Sequence, residues 1–216
     1  MRLQSAIFDM DGTLLDSMHI WKDLASDLVR SQGFEPEPGL GAKLKTMSLR
    51  QSTEYCKRVY GMTQSVEEMD ALITAMVEDF YRNHVTAKPG VEKVLSLLKM
   101  QGVWMYVATA TNRPLAETAL DHAGLSGYFR GMVTCDEAHH GKDNPAVFER
   151  AMVRLQSNKR DTVVFEDSLQ AILTAKAAGF RVAGVYDPSA EEEQDGIRAA
   201  ADYYIRSFED WFELVD

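Results

Sequence analysis

The chain has 216 residues, enough to bury a full core as one domain or as one domain with a smaller insert. With 45% hydrophobic and 26% charged residues it falls among globular proteins and outside the disordered and collagen-like classes. Its 33 acidic against 23 basic residues, a net charge of −10, argue against a nucleic-acid backbone or an anionic membrane surface as partner. A small anionic ligand stays compatible, since a metal and a few donors can reverse the local field.

In chain order, "LQSAIFDM" (3–10) reads as a first strand that runs into the acids of "DMDG". The segment 16–88 contains no convincing strand and holds four predicted helices, over "DLASDLVRSQG", "GLGAKLKTM", "SLRQSTEYCKRVYG" and "SVEEMDALITAMVEDFYRNH". "GFEPEPGLG" (33–41) is a Pro/Gly-rich joint inside it. Helix "GVEKVLSLLKMQG" follows, with Pro89 before it, Gly102 after it and Val91, Val94, Leu95 and Leu98 on one face.

From there the pattern alternates. Strands are predicted at "VWMYVAT" (103–109), "GMVTCD" (131–136), "DTVVFED" (161–167), "RVAGVYD" (181–187) and "DYYI" (202–205). Helices are predicted in "NRPLAETALDHAGL", "NPAVFERAMVRL" and "SLQAILTAKAAGF". "AEEEQDG" (190–196) reads as a solvated helix start. Apolar runs without alternation suit strands covered on both faces. The fold expected is therefore α/β: a Rossmann-like, doubly wound, mainly parallel sheet core over 1–15 and 89–216, with an inserted α-helical domain over 16–88.

Cys56 and Cys135 lie far apart without CxxC or zinc spacing and read as reduced thiols. No apolar run approaches the roughly 20 residues of a bilayer span, and "MRLQSAIFDMDG" lacks a signal peptide's features, so a cytoplasmic location is expected.

Ligands of open α/β sheets bind beyond the carboxyl ends of the strands. The residues there are Asp9 and Asp11, Thr109, Glu166 and Asp167, with Lys142 a little past "MVTCD". Four carboxylates on one edge call for a hard cation such as Mg²⁺, with Asp9, Asp11, Glu166 and Asp167 as candidate ligands. Asp9, ending its strand, is placed to act as nucleophile, and Asp11 as general acid and then base. Gly12 permits a sharp turn, and the N–H groups of Met10, Asp11 and Gly12 can form an anion nest. Thr109 and the turn after it (Ala110, Thr111, Asn112) can hold phosphoryl oxygens, with Lys142 neutralising charge. The plainer alternatives are a solvated turn at Asp9–Gly12, helix capping by Glu166 and Asp167, and a β-branched strand end at Thr109.

"DMDGTLLDS", the threonine closing "VWMYVAT", the lysine of "GKDNPAVF" and "VVFEDSLQAI" are, in order, similar to the four motifs of the haloacid dehalogenase-like phosphohydrolase superfamily. The resemblance spans essentially the whole chain. The insert resembles that superfamily's type-1 helical cap, and the nearest subfamily implied contains β-phosphoglucomutases and phosphoglycolate phosphatases. The resemblance implies a Mg²⁺-dependent phosphatase of a small phosphorylated metabolite, working through an aspartyl-phosphate while the cap excludes water. A monomer or weak homodimer is expected. A phosphomutase is the alternative, and a non-catalytic binding protein on the same fold a further one. Dehalogenases lack the second aspartate, so Asp11 points to phosphate chemistry.

Three departures and likenesses bear on this. The pattern Lys-Pro-x-Pro is replaced by Lys142-Asp143-Asn144-Pro145, which puts an acid where it can compete for the amine. "MSLRQS" resembles the substrate-side loop, with Arg50 as an anion or hydroxyl contact, the plainer reading being a surface arginine. The mutase relatives are expected to carry a histidine where Trp21 stands, with His19 two residues early, and Trp21 is expected to pack at the cap hinge. Lys43, Lys45 and Lys57 lack the surroundings of a Schiff-base lysine. His139 and His140 read as an exposed loop pair, and Met47, Met62, Met69 and Met76 as filler of the insert's core.

Overall fold

Six strands pair in parallel in the computed structural model, which describes residues 3–40, 44 and 49–213. They are β1 (Ser5–Phe8), β2 (Trp104–Thr109), β3 (Met132–Thr134), β4 (Thr162–Glu166), β5 (Arg181–Val185) and β6 (Tyr203–Ile205). Their order in the sheet is β3-β2-β1-β4-β5-β6. Every residue of β1, β3 and β4 is buried, as runs without alternation require when helices cover both faces. Helices α1 (Met18–Ser31), α2 (Leu49–Tyr60) and α3 (Val66–Asn83) precede α4 (Val91–Met100), α5 (Arg113–His122), α6 (Cys135–Ala138), α7 (Ala146–Arg154), α8 (Leu169–Ala177) and α9 (Gln194–Ala200).

The strand order reverses direction between β1 and β4, which makes the crevice at their carboxyl ends the topological switch point. The two strands run in register from Ser5 opposite Thr162 to Phe8 opposite Phe165. Both therefore end at the same level, and the next residues along each chain emerge together.

The chain divides into two units, Met1–Asp16 with Val85–Asp216, and Ser17–His84. Asp16 and residues 85–88, read from the sequence as part of the insert, fall with the sheet. The reason is a short antiparallel pairing of the outgoing and returning segments. The Asp16 N–H donates to the Thr86 carbonyl at 3.0 Å, the Lys88 N–H donates to the Leu14 carbonyl at 2.9 Å, and Leu15 bridges Ala87.

In the second unit, α1 starts at Met18, ahead of the predicted Asp23, because Ile20, Leu24 and Leu28 carry its apolar face one turn further back. The predicted helix over 39–47 lies mostly outside the described residues, as does Met47. A capping box starts α3: Ser65 accepts from the Glu68 N–H at 3.1 Å, and the Glu68 carboxylate accepts from the Ser65 N–H at 2.7 Å. Met62 and Met69 are buried and Met76 half-buried, and Trp21 is 37% exposed.

In the first unit, the strand expected over 131–136 stops at Thr134. There Thr134 and Glu137 exchange side-chain-to-backbone hydrogen bonds, both 3.2 Å, and turn the chain into α6. The acidic run at 190–196 forms a 3₁₀ turn, Pro188–Glu193, that leads into α9. Gly90, at φ +82°, admits no other residue, since a Cβ would lie 2.5 Å from the Glu209 nitrogen. Both cysteines are buried and free. Among the described residues no helix is long and apolar enough to cross a membrane.

Candidate active site

The Asp9 N–H continues the β1–β4 ladder by donating to the Phe165 carbonyl at 2.9 Å. Asp9 therefore leaves the sheet beside Glu166, the last residue of β4, and Asp167. One carboxylate oxygen from each of the three lies within 4.8 Å of the others, and all three residues are buried. Lys142, in the segment between α6 and α7, reaches into the same crevice. Its ammonium pairs with Asp9 Oδ1 and, at 2.8 Å, with Glu166 Oε2. The other Glu166 oxygen accepts from the Ser168 N–H at 3.2 Å. Lys142 thus pairs with the two active-edge acids rather than with Asp143.

Three buried carboxylates against one ammonium leave the cluster short of positive charge, and the protonation tendencies express this. Burial, followed by the charge of Glu166, holds the Asp9 carboxyl well above its usual range, with Lys142 opposing. Burial and Glu166 push Asp167 up to about 7. Burial pushes the Lys142 ammonium down, but Asp9 and Glu166 outweigh it and hold the amine above its ordinary value. An oxygen-only donor set with excess negative charge fits a hard divalent cation, of which Mg²⁺ is the expected one.

Asp11, expected beside the other three carboxylates, is held elsewhere. The Thr111 hydroxyl donates to Asp11 Oδ2 at 2.7 Å, and the close group of carboxylates that could hold a metal ion is formed by Asp9, Glu166 and Asp167. Gly12 takes φ +80°, the conformation a sharp turn needs there. Its N–H, however, donates to the Leu15 carbonyl at 3.0 Å and so is not aimed at an anion, which departs from the expected nest. The Met10 carbonyl accepts from the Leu14 and Leu15 N–H groups at 2.9 and 3.0 Å, while its side chain is fully buried. Met10 anchors the turn in the core.

At the end of β2, Thr109 is buried and its hydroxyl accepts from the Thr111 N–H at 3.0 Å; Ala110 between them is exposed. The Asn112 side chain caps α5 by accepting from the Leu115 N–H at 3.2 Å, which engages the oxygen expected to meet substrate. Arg50 lies in the first turn of α2, with its side chain outside the described residues. His139 and His140 are exposed.

Two further residues belong to this edge. Thr13 is fully buried and its hydroxyl donates to Asp167 Oδ1 at 2.9 Å. It stands inside the "DMDGT" motif, so its signal was in view without a role attached. Lys88 donates to the Gly12 and Tyr186 carbonyls and pairs with Asp187. Nothing in the sequence around it marks it, because two of its acceptors are main-chain carbonyls.

A sequence model of the haloacid dehalogenase-like hydrolase family matches residues 6–185. The chain is similar to the "Phosphorylated carbohydrates phosphatase" of Thermotoga maritima, 26% identical over 85% of each chain. It is also similar to "Hexitol phosphatase B" of Escherichia coli, 25% identical over 95% of this chain and 93% of that one. Among solved structures, CbbY from Rhodobacter sphaeroides in complex with phosphate superposes with a TM-score of 0.76 over 95% of both chains, at 21% identity, and so shares the fold.

Proposed function

The chain belongs to the haloacid dehalogenase-like hydrolases, and from that membership we propose that it is a Mg²⁺-dependent phosphatase of a small phosphorylated carbohydrate or related phosphoglycolate-like metabolite. The observation that carries this reading is the buried cluster of Asp9, Glu166 and Asp167 at the switch point, with the Lys142 ammonium paired to two of its acids. Asp9, Glu166 and Asp167 would hold the cation, which supplies charge compensation for phosphoryl oxygens.

An Asp9 carboxylate oxygen forms a bond to phosphorus as the ester P–O bond breaks, and Asp11 gives its proton to the departing oxygen. Water then attacks the aspartyl-phosphate and Asp11 takes its proton, so the Asp9–phosphorus bond breaks and inorganic phosphate leaves. Thr111, by donating to Asp11 Oδ2, orients that acid. Lys142 keeps the Asp9 carboxylate oriented and compensates the transferring group. Thr109, with the main chain after it, binds the phosphoryl oxygens.

The test is inorganic phosphate release from a panel of phosphorylated sugars, sugar alcohols and short phosphorylated acids, with Mg²⁺ and with EDTA. Release from a subset of the panel, lost in EDTA, is the expected result. Conversion of β-glucose 1-phosphate to the 6-phosphate without phosphate release would replace the phosphatase by a mutase. No turnover of any compound with Mg²⁺ present would refute a catalytic role.

A further inference from the structure

Lys88 has no part in the chemistry just described, yet its side chain is committed to three acceptors. The ammonium donates to the Gly12 carbonyl at 2.7 Å and the Tyr186 carbonyl at 2.6 Å, and pairs with Asp187 Oδ2 at 3.0 Å. These use its full complement of donors. The side chains are 13% and 3% exposed, and a pair buried this far is a poor source of net stability, because desolvation offsets the attraction. What the pair holds is more informative than its own energy.

The Gly12 carbonyl and the Thr13 N–H belong to one planar peptide. Clamping that carbonyl fixes the plane from which Thr13 departs, and Thr13 in turn donates to Asp167 Oδ1 at 2.9 Å. Gly12, at φ +80°, has the least conformational preference of its own; its N–H is held within the turn by the Leu15 carbonyl, and its carbonyl is held from outside by Lys88. Lys88 is a stiff point from which to hold it. Its N–H donates to the Leu14 carbonyl at 2.9 Å, its neighbour Ala87 bridges Leu15, and Pro89 behind it restricts its backbone to extended conformations.

The geometry points to Lys88 as a positioning residue: by clamping the Gly12 carbonyl it sets the Gly12–Thr13 peptide and, through the Thr13 hydroxyl, the orientation of the Asp167 carboxylate in the cation-holding cluster. Asp187 serves as its counter-charge and also caps the following 3₁₀ turn by accepting from the Ser189 N–H at 2.9 Å. The inference rests on the phosphatase reading for its activity readout, and on the cluster alone for its metal-binding readout.

The experiment compares the unaltered chain with Lys88→Met, the double variant Lys88→Met/Asp187→Asn, Thr13→Val, and the triple combination. Each is measured for melting temperature, for Mg²⁺ affinity by calorimetry without substrate, and for kcat and KM on p-nitrophenyl phosphate with Mg²⁺. Lys88→Met alone leaves Asp187 buried and unpaired, so it loses melting temperature as well as function. Asn at position 187 removes that charge and keeps an oxygen for the Ser189 N–H, so the double variant regains the melting temperature.

In the double variant, Mg²⁺ binding is expected to stay about tenfold weaker and kcat about tenfold lower, with KM within about twofold. Thr13→Val should weaken Mg²⁺ binding to a similar degree, and the triple variant should be little worse than either, because both changes act on one chain of contacts. Recovery of Mg²⁺ affinity together with melting temperature in the double variant would overturn the proposal. Full additivity with Thr13→Val would do the same, and that comparison decides the matter if the double variant melts low. An unaltered chain that binds Mg²⁺ but hydrolyses no phosphomonoester defeats the phosphatase reading alone, and calorimetry then decides on Lys88. A chain that binds no Mg²⁺ defeats both.

Discussion

The two ends of strands β1 and β4 share one backbone register and carry opposite kinds of buried polar chemistry. At the amino end, the Ser5 hydroxyl lies 2.7 Å from Thr162 Oγ1 and donates to Ser157 Oγ at 2.8 Å; Thr162 also reaches the Asn158 carbonyl at 2.7 Å. These groups are neutral and satisfied, and each such bond contributes about 1 kcal/mol. At the carboxyl end, the acids Asp9, Glu166 and Asp167 are buried together and short of counter-charge. The same pair of strands is thus closed at one end for stability and left electrostatically incomplete at the other. A buried site that lacks positive charge costs stability until a cationic ligand supplies it.

The largest effect separating the two ends is expected from Asp9→Asn. It should lower kcat by at least about 10³-fold, since the proposed nucleophile is gone. The metal-free melting temperature should hold or rise, because one of three mutually repelling carboxylates is removed. Substantial residual turnover would exclude Asp9 as the attacking group.

Proton linkage sharpens the contrast at the next level. Asp167 titrates near 7 in the folded chain against an ordinary 3.8, raised by burial and then by Glu166. Between those values the folded state holds a proton that the unfolded chain has released, so metal-free stability falls as pH rises through the window. Asp9 is raised and acts with the same sign. Urea unfolding in EDTA at pH 5 and pH 7.5 should therefore show a loss of stability with pH that Asp167→Asn reduces and saturating Mg²⁺ opposes. A variant with the unaltered slope would remove Asp167 from this account.

The smallest effect belongs to the neutral end. Thr162→Val should cost about 1–2 kcal/mol in urea unfolding, as the Asn158 carbonyl and the Ser5 hydroxyl lose a partner. Turnover should stay within about twofold. A large fall in kcat would mean that the two ends are not independent.

Much of this architecture was legible in the chain. Residues 162–166 form an apolar run without alternation because helices cover both faces, and Asp9 follows such a run because a carboxylate leaves the sheet where the strand ends. The stop at Thr134 was also legible: "TCDE" is a capping-box pattern that an apolar reading of "GMVTCD" overrides. The roles of Asn112 and of the Gly12 N–H were not, since either group serves a cap or turn as readily as a ligand until its partner is known.

By itself the sequence determined the strand and helix alternation, the insertion of a helical segment after the first strand, and the acids at the ends of two strands. These follow from local periodicity and from residue chemistry that each segment carries on its own. Only the tertiary structure decided that three carboxylates close on one another while Asp11 turns to Thr111, and that Lys88 fastens the Gly12 turn to Asp187. Those contacts join segments far apart in the chain, partly through carbonyls that every residue possesses. Such partners have no signature in the sequence; they are selected by which chain segments the sheet brings together.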